Sequence, residues 1–145
     1  MNRLVKTVLT MAMVSTSFFN SAQANTEFTI SDVWAKQSIP GAENGAAYFT
    51  ITNQSSESIY LVGANTKVAR AVEVHEHIHE QNVMRMRRVG ELEIAANKTV
   101  TFAPGGLHLM MFGIKEPLKP GQTFEIQLLF KGGETQSVLA EVRPI

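Results

Sequence analysis

Short β-prone runs that end in turn residues are the feature that most restricts the fold of this chain. Glycine- and proline-containing turns such as Pro40-Gly41, Pro104-Gly105-Gly106 and Gly132-Gly133 punctuate these runs. The predicted strands are Phe28–Lys36, Ala46–Thr52, Ile59–Val62, Val68–His79, Val83–Val89, Leu92–Ile94, Thr99–Phe102, Leu107–Ile114, Thr123–Phe130 and Thr135–Val142. No segment carries a 3.6-residue apolar period of helix length. The pattern predicts one all-β domain, an antiparallel sandwich or barrel.

The N-terminal segment has the pattern of a secretory signal. Arg3 and Lys6 precede a mostly apolar run over Thr7–Phe19, and small residues in an A-x-A arrangement end at Ala24. The apolar run is too short to span a bilayer comfortably. We expect residues 1–24 to be cleaved, which leaves a single domain over residues 25–145.

Charge and cysteine content exclude several classes of function. The predicted mature chain has 11 basic and 13 acidic residues, whereas a nucleic-acid binder needs a basic excess. It contains no long basic amphipathic stretch, so no membrane insertion of the mature chain is expected. The absence of cysteine excludes thiolate zinc sites, iron–sulfur clusters, thiol catalysis and blue-copper centres.

The histidines and methionines of the mature chain are confined to two short windows, residues 75–86 and 108–111. They are His75, His77, His79, Met84, Met86, His108, Met110 and Met111. Side chains two residues apart on a strand share a face, so three histidines, two methionines and the His108–Met110 pair each present their groups on one side. Met111 has the opposite parity to Met110, and we expect it in the core.

This donor set indicates a soft metal ion. Magnesium and calcium require oxygen ligands, and zinc rarely accepts a thioether. Cu(I) accepts both imidazole and thioether. Without thiolate, such a site should hold its metal less tightly than a cysteine site, which is suited to carrying an ion and passing it on.

The spacing His75-x10-Met86-x21-His108-x-Met110 reproduces, gap for gap, the ligand pattern of a known family. It resembles the periplasmic copper chaperones, PCu(A)C-like proteins, that supply the Cu(A) site of cytochrome c oxidase. Three further stretches look like this family: Asn44–Asn53 (NGAAYFTITN), Val72–Met86 (VEVHEHIHEQNVMRM) and Pro104–Leu118 (PGGLHLMMFGIKEPL).

The resemblance implies both a fold and a function. The fold is a cupredoxin-like antiparallel β-sandwich of Greek-key type, in which His75, Met86, His108 and Met110 hold one Cu(I) per chain. The protein is then a monomeric periplasmic carrier with no enzymatic reaction of its own. The implied partners are a copper-accepting oxidase subunit, subunit II, and a Sco-type protein.

The auxiliary residues are less constrained than the four predicted ligands. His77 and His79 are expected as solvated imidazoles that would serve as auxiliary ligands or as a point of copper acquisition, and Met84 either shields the site or packs. The carboxylates among the histidines either accept imidazole N–H groups or are ordinary exposed residues; they are Glu73, Glu76 and Glu80. The chain lacks the His/Met-rich tail that some relatives use for a second site, so no second high-affinity site is expected.

Two other functions fit the same residues. A zinc-dependent hydrolytic enzyme would use His75, His77 and His108 as ligands, with Glu76 or Glu80 as general base. That reading leaves the methionines without a role, and no other catalytic arrangement accompanies it. A β-sandwich interaction module without metal is the other alternative. Metal preference separates the enzyme from the carrier, because zinc at full occupancy without Cu(I) uptake would favour the enzyme. The interaction module predicts instead that a double His75→Ala, Met86→Ala variant keeps all function.

Overall fold

A computed structural model describes residues 27–145, and these residues form ten strands and no helix. The strands are β1 (Phe28–Lys36), β2 (Gly45–Asn53), β3 (Ile59–Thr66), β4 (Ala69–Glu80), β5 (Val83–Arg88), β6 (Leu92–Ile94), β7 (Thr99–Thr101), β8 (His108–Ile114), β9 (Thr123–Phe130) and β10 (Thr135–Arg143). Each corresponds to a predicted strand, and the prediction of a single all-β domain is confirmed. The predicted signal segment, residues 1–24, lies outside the described residues. Within residues 27–145 there is no helix of the length and apolarity needed to cross a membrane.

The strands form one continuous sheet that closes on itself. Its order is β4-β8-β2-β1-β10-β9-β3, and β3 pairs back onto β4 through Ala64 and Val72. The remaining strands extend this ring at three places: β5 pairs with β4, β6 with β3, and β7 with β2. Closure removes most free sheet edges. Strand β5 keeps a free edge, and all six of its residues are exposed.

One strand pair differs from the antiparallel arrangement expected from the sequence. β1 and β10 run parallel, with Trp34 opposite Glu141 and Lys36 opposite Arg143. Alternation of apolar residues reports which side of a strand is buried, but it carries no information about the direction of a neighbouring strand. The parallel pair therefore could not be recognised from the pattern alone.

The interior of the ring holds an apolar core to which every strand except β5 and β7 contributes fully buried residues. Phe49 stacks on Phe102 with ring centroids 4.2 Å apart, and Phe28 contacts Phe130 at 4.6 Å. A buried polar residue, Asn53, lies at the end of β2 and donates hydrogen bonds to three backbone carbonyls. These contacts satisfy its amide and join the β2 end to the segment after β6.

A tight turn fixes the alignment of β4 and β5. Gln81 and Asn82 connect the strands, with φ angles of 50° and 62°. Positive φ at both central residues is the signature of a type I′ turn, whose twist suits a two-residue hairpin. Glu80 and Val83 consequently form the last cross-strand pair. A shift of one residue would turn every side chain of β5 to the other face, so this turn determines what β5 presents.

Candidate metal centre

Strands β4 and β8 bring the two sequence windows together. Their antiparallel register places His75 directly opposite His108 and Glu73 opposite Met110. The His75 and His108 ring centroids are 5.9 Å apart. Glu73 and His75 are two positions apart on β4, as are His108 and Met110 on β8, so all four side chains lie on one face of the sheet. The expectation that residues 75–86 and 108–111 meet in space is therefore met by strand pairing.

Strand β5 adds the thioethers to the same face from the other side of β4. His77 lies directly opposite Met86, and His79 lies directly opposite Met84. Opposed residues in an antiparallel pair have Cβ atoms about 5 Å apart, so each histidine lies next to one methionine. The face formed by β4, β5 and β8, which we call the His/Met face, therefore carries all the predicted ligands and auxiliaries.

A cavity of about 240 Å³ opens on this face. Four side chains with metal-binding atoms line it: His77, Met86, His108 and Met110. The rest of the lining combines apolar and aromatic groups with polar ones; it includes Tyr48, the exposed Ile39 and Ile145, Lys36, Gln37 and Asn44. Met86 is 48% exposed, whereas His108 is 3% exposed, so the donors range from the surface to the interior.

The position of His77 corrects the expectation that it is a solvated imidazole. The residue is half-buried and lines the cavity, and its ring centroid lies 5.0 Å from that of His108. Its Nδ1 atom is buried and has no hydrogen-bond partner. Strand parity places His75 and His77 on the same face but does not say which of them neighbouring strands will cover. The expectation of solvation holds for His79, which is exposed.

His75 lies beside the cavity, and a hydrogen bond to a carboxylate selects its tautomer. Its Nε2 is 2.9 Å from Oε2 of Glu73, and its Nδ1 is buried without a partner. An ionised carboxylate only accepts hydrogen bonds, so Nε2 carries the proton and Nδ1 keeps its lone pair. Arg88 Nε lies 3.6 Å from the same carboxylate oxygen. Glu73 therefore takes the acceptor role that was one of its two expected roles.

A backbone carbonyl gives His108 the opposite tautomer. Its Nδ1 is 3.1 Å from the carbonyl oxygen of Gly106, so Nδ1 donates and the lone pair of Nε2 stays free. Burial lowers the pKa of His108 below its ordinary value of 6.5, and the neighbouring His77, His75 and Lys36 lower it further, against the carbonyl contact, which raises it. The ring is therefore held neutral, which is the form that binds metals. Sequence reasoning missed Gly106 because a carbonyl acceptor leaves no side-chain signal.

The other predicted residues are placed as follows. Met111 is fully buried, which confirms the prediction that it belongs to the core. Met84 is 58% exposed at the outer end of the His/Met face. Glu76 forms an ion pair with Arg87 and does not contact a histidine ring. Within residues 27–145, no group of three or more histidine, aspartate or glutamate side chains is arranged to hold a metal ion. The three-histidine zinc centre of the enzyme alternative therefore has no support in the geometry.

Two comparisons by sequence find bacterial relatives of this chain. Residues 28–142 match the LpqE-like family, described as "Putative lipoprotein LpqE-like". The chain is 31% identical over 115 residues to "Putative lipoprotein Lxx21020" of Leifsonia xyli, a match covering 79% of this chain and 68% of that protein. It is also 31% identical over 113 residues to an uncharacterised protein of Rickettsia prowazekii, a match covering 75% of this chain and 62% of that protein.

Solved structures with the same fold are PCuAC domains. The Cu(I)-bound solution structure of DR1885 from Deinococcus radiodurans has a TM-score of 0.68 and 35% identity, covering 86% of this chain and 83% of that one. The copper-bound PCuAC domain of PmoF2 has a TM-score of 0.69 and covers 82% and 94%; its identity of 21% shows the fold alone. The cupredoxin-like fold and the resemblance to PCu(A)C-like proteins are thereby confirmed. By the extent of its sequence match, the chain belongs to the LpqE-like family.

Proposed function

We propose that this chain is a periplasmic copper chaperone that binds one Cu(I) through His75, Met86, His108 and Met110 and delivers it to a respiratory oxidase. The observation that carries the proposal is the hydrogen bonding of the His75 and His108 rings. Each has one ring nitrogen bonded to an acceptor of the protein, which leaves the other nitrogen free to bind a metal. Acceptors of this kind orient metal-binding histidines in known sites.

The donor set fits Cu(I) in charge as well as in softness. Imidazole binds a metal in its neutral form, and a thioether carries no charge, so a site of four neutral ligands keeps the +1 charge of the ion. Glu73 lies behind His75, where its carboxylate partly balances that charge without serving as a hard ligand. The Cu(I)-bound DR1885, which is 35% identical to this chain, has the same fold, which supports the same cargo here.

The arrangement suits transfer better than storage. Met86 lies on the free-edge strand β5 and is half-exposed, so an incoming ligand of a partner can replace its thioether without unfolding the sheet. His108 and Met110 on β8 would keep hold of the ion while that exchange takes place. We therefore propose delivery by ligand exchange and no enzymatic reaction.

The partners and the compartment follow from the family resemblance. We propose subunit II of cytochrome oxidase, with its Cu(A) site, as the recipient, and a Sco-type protein as a co-worker in the periplasm. The exported character indicated by the lipoprotein relatives agrees with that compartment. We expect the carrier to act as a monomer.

An anaerobic Cu(I) competition titration with a chromogenic chelator tests the copper site. The purified protein should bind one tight equivalent of Cu(I). His75→Ala and Met110→Ala should each lose this equivalent because each substitution removes one of the four donors. Met111→Leu is the matched control: it removes the neighbouring methionine, which is buried on the opposite side of β8, and it should bind as the wild type does.

Two outcomes would contradict the proposal. Equal Cu(I) affinity in wild type, His75→Ala and Met110→Ala would show that His75 and Met110 are not copper ligands. Zinc at full occupancy after purification, with no Cu(I) uptake, would instead favour the enzyme alternative. For the recipient, anaerobic mixing of the loaded chain with an apo Cu(A) domain should produce metal transfer, and its absence would rule out that partner.

A further inference from the structure

The β4–β5 hairpin carries two histidine–methionine pairs in succession. His77 faces Met86 across the strands, and His79 faces Met84 one step nearer the turn. We call these the inner pair and the outer pair. The inner pair lines the cavity, whereas the outer pair lies outside it at the tip of the hairpin. The proposed four-ligand site uses only Met86 from these four residues.

The two pairs share one face and lie in line. Because the turn fixes the register, both histidines project from β4 on the same side as both methionines from β5. Successive same-face positions on a strand are about 7 Å apart, so an ion at the outer pair is one such step from the inner pair. Met84 is 58% exposed, Met86 is 48% exposed, and His108 behind them is 3% exposed. The donors thus form a graded series from solvent to the interior.

We propose that the outer pair, His79 and Met84, is a second and weaker Cu(I) site that receives the ion and passes it through the inner pair to the proposed four-ligand site. This proposal rests on the proposed function, since it supplies the loading route of the same carrier. An imidazole and a thioether about 5 Å apart at Cβ are placed to hold one soft ion between them. Two exposed neutral donors bind less tightly than four, so the ion moves inward.

The transfer is a ligand exchange without redox chemistry. In the first step copper forms bonds to an imidazole nitrogen of His77 and the sulfur of Met86 while its bonds to His79 and Met84 break. In the second step the bond to Met86 stays, bonds to the remaining three ligands of the proposed site form, and the bond to His77 breaks. Copper stays Cu(I), all ligands remain neutral, and no proton is exchanged. His77 serves as the intermediate donor because its buried Nδ1 has no other partner.

The experiment combines stoichiometry with loading kinetics. The wild-type protein should take up a second, weaker equivalent when Cu(I) is in excess, and stopped-flow mixing with a Cu(I)–chelator complex should show rapid loading. The double variant His79→Ala/Met84→Ala should keep the tight equivalent with unchanged affinity, lose the weak one and load several-fold more slowly. Arg85→Ala, on the other face of the same exposed strand, is the matched control and should behave as the wild type.

The outcomes separate this inference from the proposed function. A weak equivalent and a loading rate that are the same in wild type and double variant overturn the outer pair while the tight site stands. The variant Met110→Ala, in which the tight site is disabled, should still bind the weak equivalent. A weak equivalent that depends on His79 and Met84 in a protein without any tight equivalent supports the outer pair and overturns the proposed four-ligand site.

Discussion

His108 is a buried histidine whose pKa is lowered by its surroundings. Burial keeps its pKa below 6.5, so the folded protein resists protonation there. In the unfolded chain the same ring takes up a proton as the pH falls through 6.5. Because the unfolded state then binds more protons than the native state, the free energy of unfolding falls as the pH drops from about 6.5 toward the lowered native pKa.

We therefore predict that the metal-free protein loses stability at His108 in mildly acidic solution. The melting temperature of the wild type should fall more between pH 7.5 and pH 5 than that of His108→Gln, which has no titrating group at this position. Thermal unfolding of both proteins in matched buffers measures the difference. Parallel losses in the two proteins would show that His108 does not carry this pH dependence.

The sequence predicted which residues meet but not how their rings are held. Strand parity grouped His108 with Met110 on one face of a strand, and only the family resemblance implied that His75 lies beside them, as the register of β4 and β8 shows. The acceptor for His108 is a backbone carbonyl, and the coverage of His77 depends on strands distant in sequence. Both are consequences of three-dimensional packing, and a one-dimensional pattern contains neither.

At the level of elements, the turn between β4 and β5 controls the metal face. Asn82 has a φ of 62°, whereas a proline ring holds φ near −65°. Asn82→Pro is therefore incompatible with the type I′ turn and should shift or detach β5, which carries Met86. We predict a loss of tight Cu(I) binding comparable to that of Met86→Ala, with the far-UV circular dichroism of the sheet largely retained because β5 contributes no buried side chain.

Asn82→Gly is the control for this prediction. Glycine adopts positive φ without a steric penalty, so the turn and the register of β5 should persist and Cu(I) affinity should match the wild type. Measuring both variants in the same chelator competition isolates the turn geometry from the loss of the asparagine side chain. Tight binding by Asn82→Pro would show that the site does not require the register of β5.

Element prediction from the sequence succeeded where alternation and turn residues were clear. The bounds of β1, β6 and β9 match the predicted ones, while β3 continues to Thr66 instead of ending at Val62. Gly63 interrupts the apolar pattern there, at a register shift between Leu61 and Gly63, and from Gly63 onward β3 continues to pair with β9. A glycine within a strand looks like a turn signal in the sequence, and only the pairing with β9 shows that the strand goes on.

At the level of the whole molecule, the core and the His/Met face are separate parts of the same closed sheet. The largest buried side chains, such as Phe49, Ile51 and Leu61, lie inside the ring, whereas Met84 and Met86 are on the exposed hairpin. His108 and Met110 connect the two, since their strand β8 also carries the buried Leu109 and Met111. Copper bound on this face would therefore link β4, β5 and β8 without altering the core.

That separation predicts how copper changes the stability of the whole fold. An ion that binds only the folded chain adds about 2.7 kcal/mol to the free energy of unfolding when its free concentration is a hundredfold above Kd. For a domain of this size that corresponds to a rise in melting temperature of roughly 10 °C. Anaerobic differential scanning calorimetry with Cu(I) buffered by a chelator measures it. Met110→Ala should melt near the wild type when metal-free, because Met110 is not among the fully buried core side chains, and should gain little on addition of copper. An equal gain in both proteins would mean that copper stabilises the sheet from a place other than the His/Met face.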